Sequence, residues 1–133
     1  MSALTLRNVS KRFGDHAAVA DVDLSVAEGE LFALLGPSAC GKTTLLRLVA
    51  GLEEPDSGSI LVGGAEMVGV AANRRPVNMV FQSYALFPHM SAADNVAYGL
   101  RVAGMARNEA EVRVAEALAL VRLDGLERRR PDT

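Results

Sequence analysis

An α/β fold is predicted by three features in the first half of the chain. The run Leu31-Phe32-Ala33-Leu34-Leu35 is apolar without alternation, as a strand covered on both faces would be. It leads directly into Gly36-Pro37-Ser38-Ala39-Cys40-Gly41-Lys42-Thr43, a G-x-x-x-x-G-K-[ST] pattern. That pattern leads directly into the helix-like Thr44-Leu45-Leu46-Arg47-Leu48-Val49-Ala50. Strand, glycine loop and helix thus stand in the order that gathers backbone N–H groups and a helix N-terminus around one point.

The remaining elements follow in order. Leu4-Thr5-Leu6-Arg7-Asn8-Val9 and Val22-Asp23-Leu24-Ser25-Val26 alternate apolar with polar, which predicts two half-exposed strands forming an antiparallel edge sheet around a turn near Asp15. In the helix after the loop, Leu45, Leu48, Val49 and Leu52 recur at helical spacing, and Gly51 weakens its end. Glu54-Pro55-Asp56-Ser57-Gly58 predicts a turn, Ser59-Ile60-Leu61-Val62 a short strand, and 63–73 a loop. Val77-Asn78-Met79-Val80-Phe81 predicts a second buried strand ending at Gln82. Beyond it the character turns helical. Ser91-Ala92-Ala93-Asp94 has the form of a capping box, and Asn108 is expected to cap a further helix. That helix carries an apolar stripe of Ala110, Val114, Ala117, Leu118 and Val121, with Glu109 and Arg113 spaced for an ion pair. The expected domains are 1–87, an α/β core with an N-terminal antiparallel β subdomain, and 88–133, a partial α-helical subdomain.

Composition bounds the function. The chain has 133 residues, half of them hydrophobic, a net charge of −2 and a single cysteine, Cys40. One cysteine excludes an internal disulfide and a cysteine-cluster metal site. Arg74-Arg75 and Arg128-Arg129-Arg130 are the basic clusters, and they are expected to be solvated loop or helix-end charges rather than a nucleic-acid footprint. No apolar stretch has the length of a membrane span and the N-terminus lacks a signal-peptide core, so a cytoplasmic location is expected.

The glycine loop carries the chemistry. Its N–H groups and the helix end suit a polyphosphate, with Lys42 reaching the β- and γ-phosphates, Thr43 offering its hydroxyl to Mg²⁺ and Thr44 lying near the α-phosphate. Gly36 and Gly41 let the backbone turn without a Cβ. Phe13, in Lys11-Arg12-Phe13-Gly14, is placed to stack on a purine, and the Gln82 carbonyl to meet the magnesium or an attacking water.

These residues, with Phe81-Gln82-Ser83-Tyr84-Ala85-Leu86-Phe87-Pro88-His89-Met90 and Asp94-Asn95-Val96-Ala97-Tyr98-Gly99-Leu100, resemble the ATP-binding subunit of an ABC transporter. Arg74-Arg75-Pro76-Val77-Asn78, followed by the run from Val80 to Met90, makes the chain most similar to the spermidine/putrescine branch of the importers. The resemblance implies a P-loop NTPase core. It implies that Phe13 stacks on adenine with Val19 packed nearby, that Gly36, Pro37, Ser38, Ala39, Cys40, Gly41, Lys42, Thr43 and Thr44 wrap ATP, and that Thr43 and Gln82 hold Mg²⁺. It also implies transmembrane permease partners received on a strip from Ser83 to Met90, a head-to-tail homodimer, and a peripheral position on the cytoplasmic face of the membrane.

Two departures qualify it. Ala39 stands where similar loops carry Gly, so a positive φ there would cost about 1 kcal/mol. The family's signature motif, Walker B carboxylates and switch histidine do not occur, and Arg128-Arg129-Arg130-Pro131-Asp132-Thr133 looks like the segment just before the signature. The fold is accordingly expected to be truncated. Either it serves ATP hydrolysis coupled to solute import within a full-length dimer, or it binds nucleotide without turnover, the isolated chain being inactive.

Overall fold

The computed structural model describes residues 1–37 and 41–133. Ser38, Ala39 and Cys40, and with them the expectations for those positions, lie outside the described residues. The chain forms two compact units, Met1–Met79 and Val80–Thr133.

The first unit is an antiparallel sheet with one helix. Its elements are β1 (Ser2–Phe13), β2 (His16–Ala27), α1 (Lys42–Ala50), β3 (Ser57–Val62) and β4 (Ala65–Glu66), with a 3-10 turn at Ala72–Arg74. The sheet order is β2-β1-β3-β4. The alternation expected at 4–9 and 22–26 sets the register as far as Leu6, which lies opposite both Leu24 and Ile60; a shift between Leu6 and Val9 then brings Val9 inward as well. Leu6, Val9, Val19, Leu45, Leu48, Ile60 and Met67 close one core. Strands β1 and β2 outrun the alternating segments because irregularities re-aim them. At two neighbouring ones, between Leu6 and Val9 and between Val9 and Lys11, Asn8 (φ 48°) and Asp21 (φ 44°) take the left-handed conformation. Asp23 Oδ1 accepts the Asn8 amide at 2.9 Å, and Ser10 Oγ accepts the Asp21 amide at 2.8 Å. Near the hairpin tip Lys11 faces Val19 and Arg12 faces Ala17, so Ala18 is the extra residue of a bulge.

Both expected buried strands are absent from the described structure: 31–35 and 77–81 are without regular secondary structure. A strand exists through its ladder, and among the described residues neither segment has a strand neighbour. Leu31 and Leu35 are accordingly 98% and 92% exposed. The expected loop 63–73 contains the two-residue β4, which returns onto β3 through Leu61 opposite Glu66.

The second unit holds α2 (Ala92–Val102) and α3 (Arg107–Leu120), packed through Ala97, Val114 and Leu118. The cap of α2 is the expected Ser91, whose Oγ accepts the Asp94 amide at 3.1 Å. The start of α3 differs from expectation: Ala106 is its N-cap, without a side-chain bond, and Asn108 lies inside the helix. Arg107 pairs with Glu111 at 3.2 Å, one turn on, where the sequence suggested Glu109 with Arg113. Ala117 and Val121 of the expected stripe are exposed, the latter at the helix end.

Candidate functional site

The two ends of α1 build the site in the first unit. At its N-terminus Gly41 has φ 89°, and a Cβ there would stand 2.2 Å from the Ala18 carbonyl oxygen. The bulge delivers that carbonyl, so glycine is required both by the backbone angle and by the close approach. Val19, buried in the core, lies beside the same point. The first intrahelical bond runs from the Leu45 amide to the Gly41 carbonyl at 2.9 Å, which makes Lys42, Thr43 and Thr44 the helix-end donors. Among the described residues no side chain caps this end and the first turn has no acid, so its partial positive charge faces the loop. The Lys42 ammonium donates to the Gly36 carbonyl. Beside Gly41 and Lys42 lies a cavity of about 360 Å³, walled by Ala17, Ala18, Leu34 and Leu35.

The C-terminus of α1 is held by a residue that the sequence placed in solvent. Arg75 was expected to be a solvated charge, yet it is buried at 5% exposure. Its Nη1 donates to the Leu48 and Val49 carbonyls at 2.9 and 3.3 Å, and its Nε to the Val70 carbonyl at 2.9 Å. Gly51, at φ 83°, has no Cβ, and one would meet the Arg75 Nε at 2.6 Å. A cation at the last carbonyls also matches the negative end of the helix dipole. The only sequence signal was Gly51 itself, as a helix end that admits close approach. Arg74 is exposed, as expected.

Phe13 is 47% exposed at the hairpin tip, opposite His16. Ala18, which touches Gly41, lies two residues beyond His16, roughly 7 Å along the strand. The aromatic ring and Gly41 therefore both border the tip-proximal part of β2. The Lys11 ammonium stands 5.4 Å from the Phe13 ring centroid and pairs with Glu53 and Asp56 at 3.9 and 3.6 Å.

An oxygen donor suits a hard cation such as Mg²⁺, which keeps most of its waters and takes few protein ligands. The Thr43 hydroxyl, on the first turn of α1 and exposed, meets that requirement. Among the described residues no group of His, Cys, Asp and Glu forms a metal cluster.

Gln82 belongs to the second unit and is exposed. In the strip that follows, Tyr84 and Leu86 are exposed, with Tyr84 and Ala85 at φ 64° and 52°. Phe87 is tied down: its ring lies 4.8 Å from that of Tyr98, and its amide donates to Asn95 Oδ1 at 2.9 Å. Asn95 Nδ2 in turn donates to the Phe87, Met90 and Ser91 carbonyls. Asn95 thus straps the loop to α2, a role that no spacing in the sequence announced. No helix among the described residues is long and apolar enough to cross a membrane.

Comparison with known proteins places these features. Residues 19–133 match the ABC transporter family. The spermidine/putrescine import ATP-binding protein PotA of Rubrobacter xylanophilus is 60% identical over 97% of this chain, which covers 34% of that protein. The Fe(3+) ions import ATP-binding protein FbpC 1 of Rhizobium meliloti is 56% identical over 97% of the chain, covering 36% of that protein. The chain thus spans about a third of the length of the curated relatives it matches. Among solved structures, the dimeric ATP-binding cassette MJ0796 in a post-hydrolysis state with ADP and Pi superposes with a TM-score of 0.83, at 26% identity, over 97% of this chain and 62% of that one. With residues 19–133 matching the family model and the described fold superposing on an ATP-binding cassette, the chain belongs to the ABC transporter family.

Proposed function

We propose that the chain is the nucleotide-holding part of an importer's ATP-binding subunit, in which binding and hydrolysis of ATP drive uptake of a solute. The observation that carries this reading is Gly41 seated on the bulged Ala18 carbonyl. It holds the N-terminus of α1 against β2, with Lys42 at its head.

In this reading the residues from Gly36 to Thr44 surround the phosphates, Lys42 neutralises the β- and γ-phosphates, and Phe13 supplies a face for adenine beside Val19. Thr43 would hold Mg²⁺, which when bound supplies charge neutralisation at the phosphates. The permease meets the strip from Ser83 to Met90 on the cytoplasmic face of the membrane, and two subunits pair. The names of the relatives favour a polyamine as the solute.

One observation favours binding without turnover by these residues alone. Glu30 lines a cavity of about 640 Å³ together with Lys42 and Thr43, and its Oε2 is engaged by the Ala27 amide at 2.7 Å. A general base must be able to reach the water it activates.

Equilibrium binding of Mg-ATP to the 133-residue chain tests the reading. The wild type binds, and Lys42→Ala weakens binding at least tenfold; a folded wild type that fails to bind ATP overturns it. Phosphate release measured alongside separates the two readings, since turnover that Lys42→Ala abolishes excludes binding alone.

A further inference from the structure

We infer that Lys11 is a positioning residue for the base-binding face of Phe13, an inference that rests on the proposed role of Phe13. An aromatic ring at an exposed hairpin tip has no core to fix its rotamer, and Phe13 is 47% exposed. Lys11 supplies the missing constraint. Two residues earlier on β1, it shares the face of Phe13, and its ammonium lies over the ring at 5.4 Å from the centroid.

The ammonium is itself held. The Lys11 side chain is 16% exposed and pairs with Glu53 at 3.9 Å and Asp56 at 3.6 Å, both in the turn that follows α1. That turn is fastened to β1 by two further bonds: the Asp56 amide donates to the Ser10 carbonyl at 2.9 Å, and the Arg12 amide donates to Asp56 Oδ2 at 2.8 Å. One face of the ring is therefore occupied by a cation anchored to the far end of α1. A base must take the opposite face, and the helix that presents the phosphate donors also fixes the ring.

Binding of ATP and of inorganic tripolyphosphate to the same full chain separates this role from general stability, because tripolyphosphate has no base to stack. Lys11→Met keeps the apolar stem and removes the charge; it weakens ATP about two- to fivefold, the strength of a partly exposed cation–π contact, and leaves tripolyphosphate within error. Lys11→Arg, which keeps a cation over the ring, restores ATP affinity. Phe13→Ala is the control and weakens ATP selectively. If Phe13→Ala lowers both ligands alike or neither, the platform reading fails and the inference with it. If Phe13→Ala is selective while Lys11→Met is unchanged, or lowers both ligands equally, the inference about Lys11 alone is overturned.

Discussion

Gly41 shows how a single residue can be legible in type and still hide its reason. The glycine pattern demands a turn without a Cβ, and the structure adds that the obstacle is the Ala18 carbonyl, reached because Ala18 is the bulged residue of β2. Nothing in the alternation of β2 announces that bulge. Gly14 offers the comparison: at φ 59° it is left-handed too, but a Cβ there would meet nothing within 4 Å. Gly14→Ala is expected to cost the left-handed conformation alone, about 1 kcal/mol. Gly41→Ala adds a clash with backbone that cannot swing aside and is expected to cost at least about 2 kcal/mol. Chemical denaturation of the two variants measures the difference, and equal costs would remove the close approach from the argument. Arg75 was misread for a related reason. Charge and neighbours in sequence suggest solvent, whereas its partners are carbonyls of α1 that only the fold brings near.

Elements defined by local period were the most legible. β1, β2, β3 and α1 follow patterns of two or 3.6, because a half-buried element must place apolar residues on one face. β4 was not legible. Two residues carry no period, and its position depends on Glu66, whose Oε1 accepts the Ile60 and Val68 amides, each at 3.1 Å. Burial pushes this carboxyl up, but backbone hydrogen bonds from Val68 and Ile60 outweigh it and hold the group below its ordinary value. Because the folded value is the lower one, the stabilisation is present above the ordinary carboxylate range and is lost as pH falls through the folded value. Glu66→Gln is expected to be less stable than wild type at pH 7 by under about 1 kcal/mol, since the site is exposed and the amide still accepts. The gap should close in acid. Thermal melts of both proteins from neutral pH to below the carboxylate range check it, and a constant gap would show that charge has no part in holding β4.

At the scale of the molecule, the segment 31–35 carries a strand's apolar composition without a strand's partners. Composition predicted burial, but burial is a property of neighbours, and among the described residues no strand flanks this run. Leu31 and Leu35 stand almost wholly in solvent, and Leu31 borders a cavity of about 640 Å³ between the sheet and α1, lined by Leu6, Leu24, Val26, Leu46 and Val49. Large apolar side chains left in solvent beside such a cavity favour association. The 133-residue chain is therefore expected to bind a hydrophobic dye in its folded state and to self-associate with rising concentration. Replacing both residues, Leu31→Ser with Leu35→Ser, should lower dye binding and shift sedimentation toward monomer. Side chains already in water contribute little to stability, so the melting free energy should stay within about 0.5 kcal/mol of wild type. A loss of several kcal/mol in the double variant would mean that these leucines are packed in solution, and that the strand expected from the sequence forms after all.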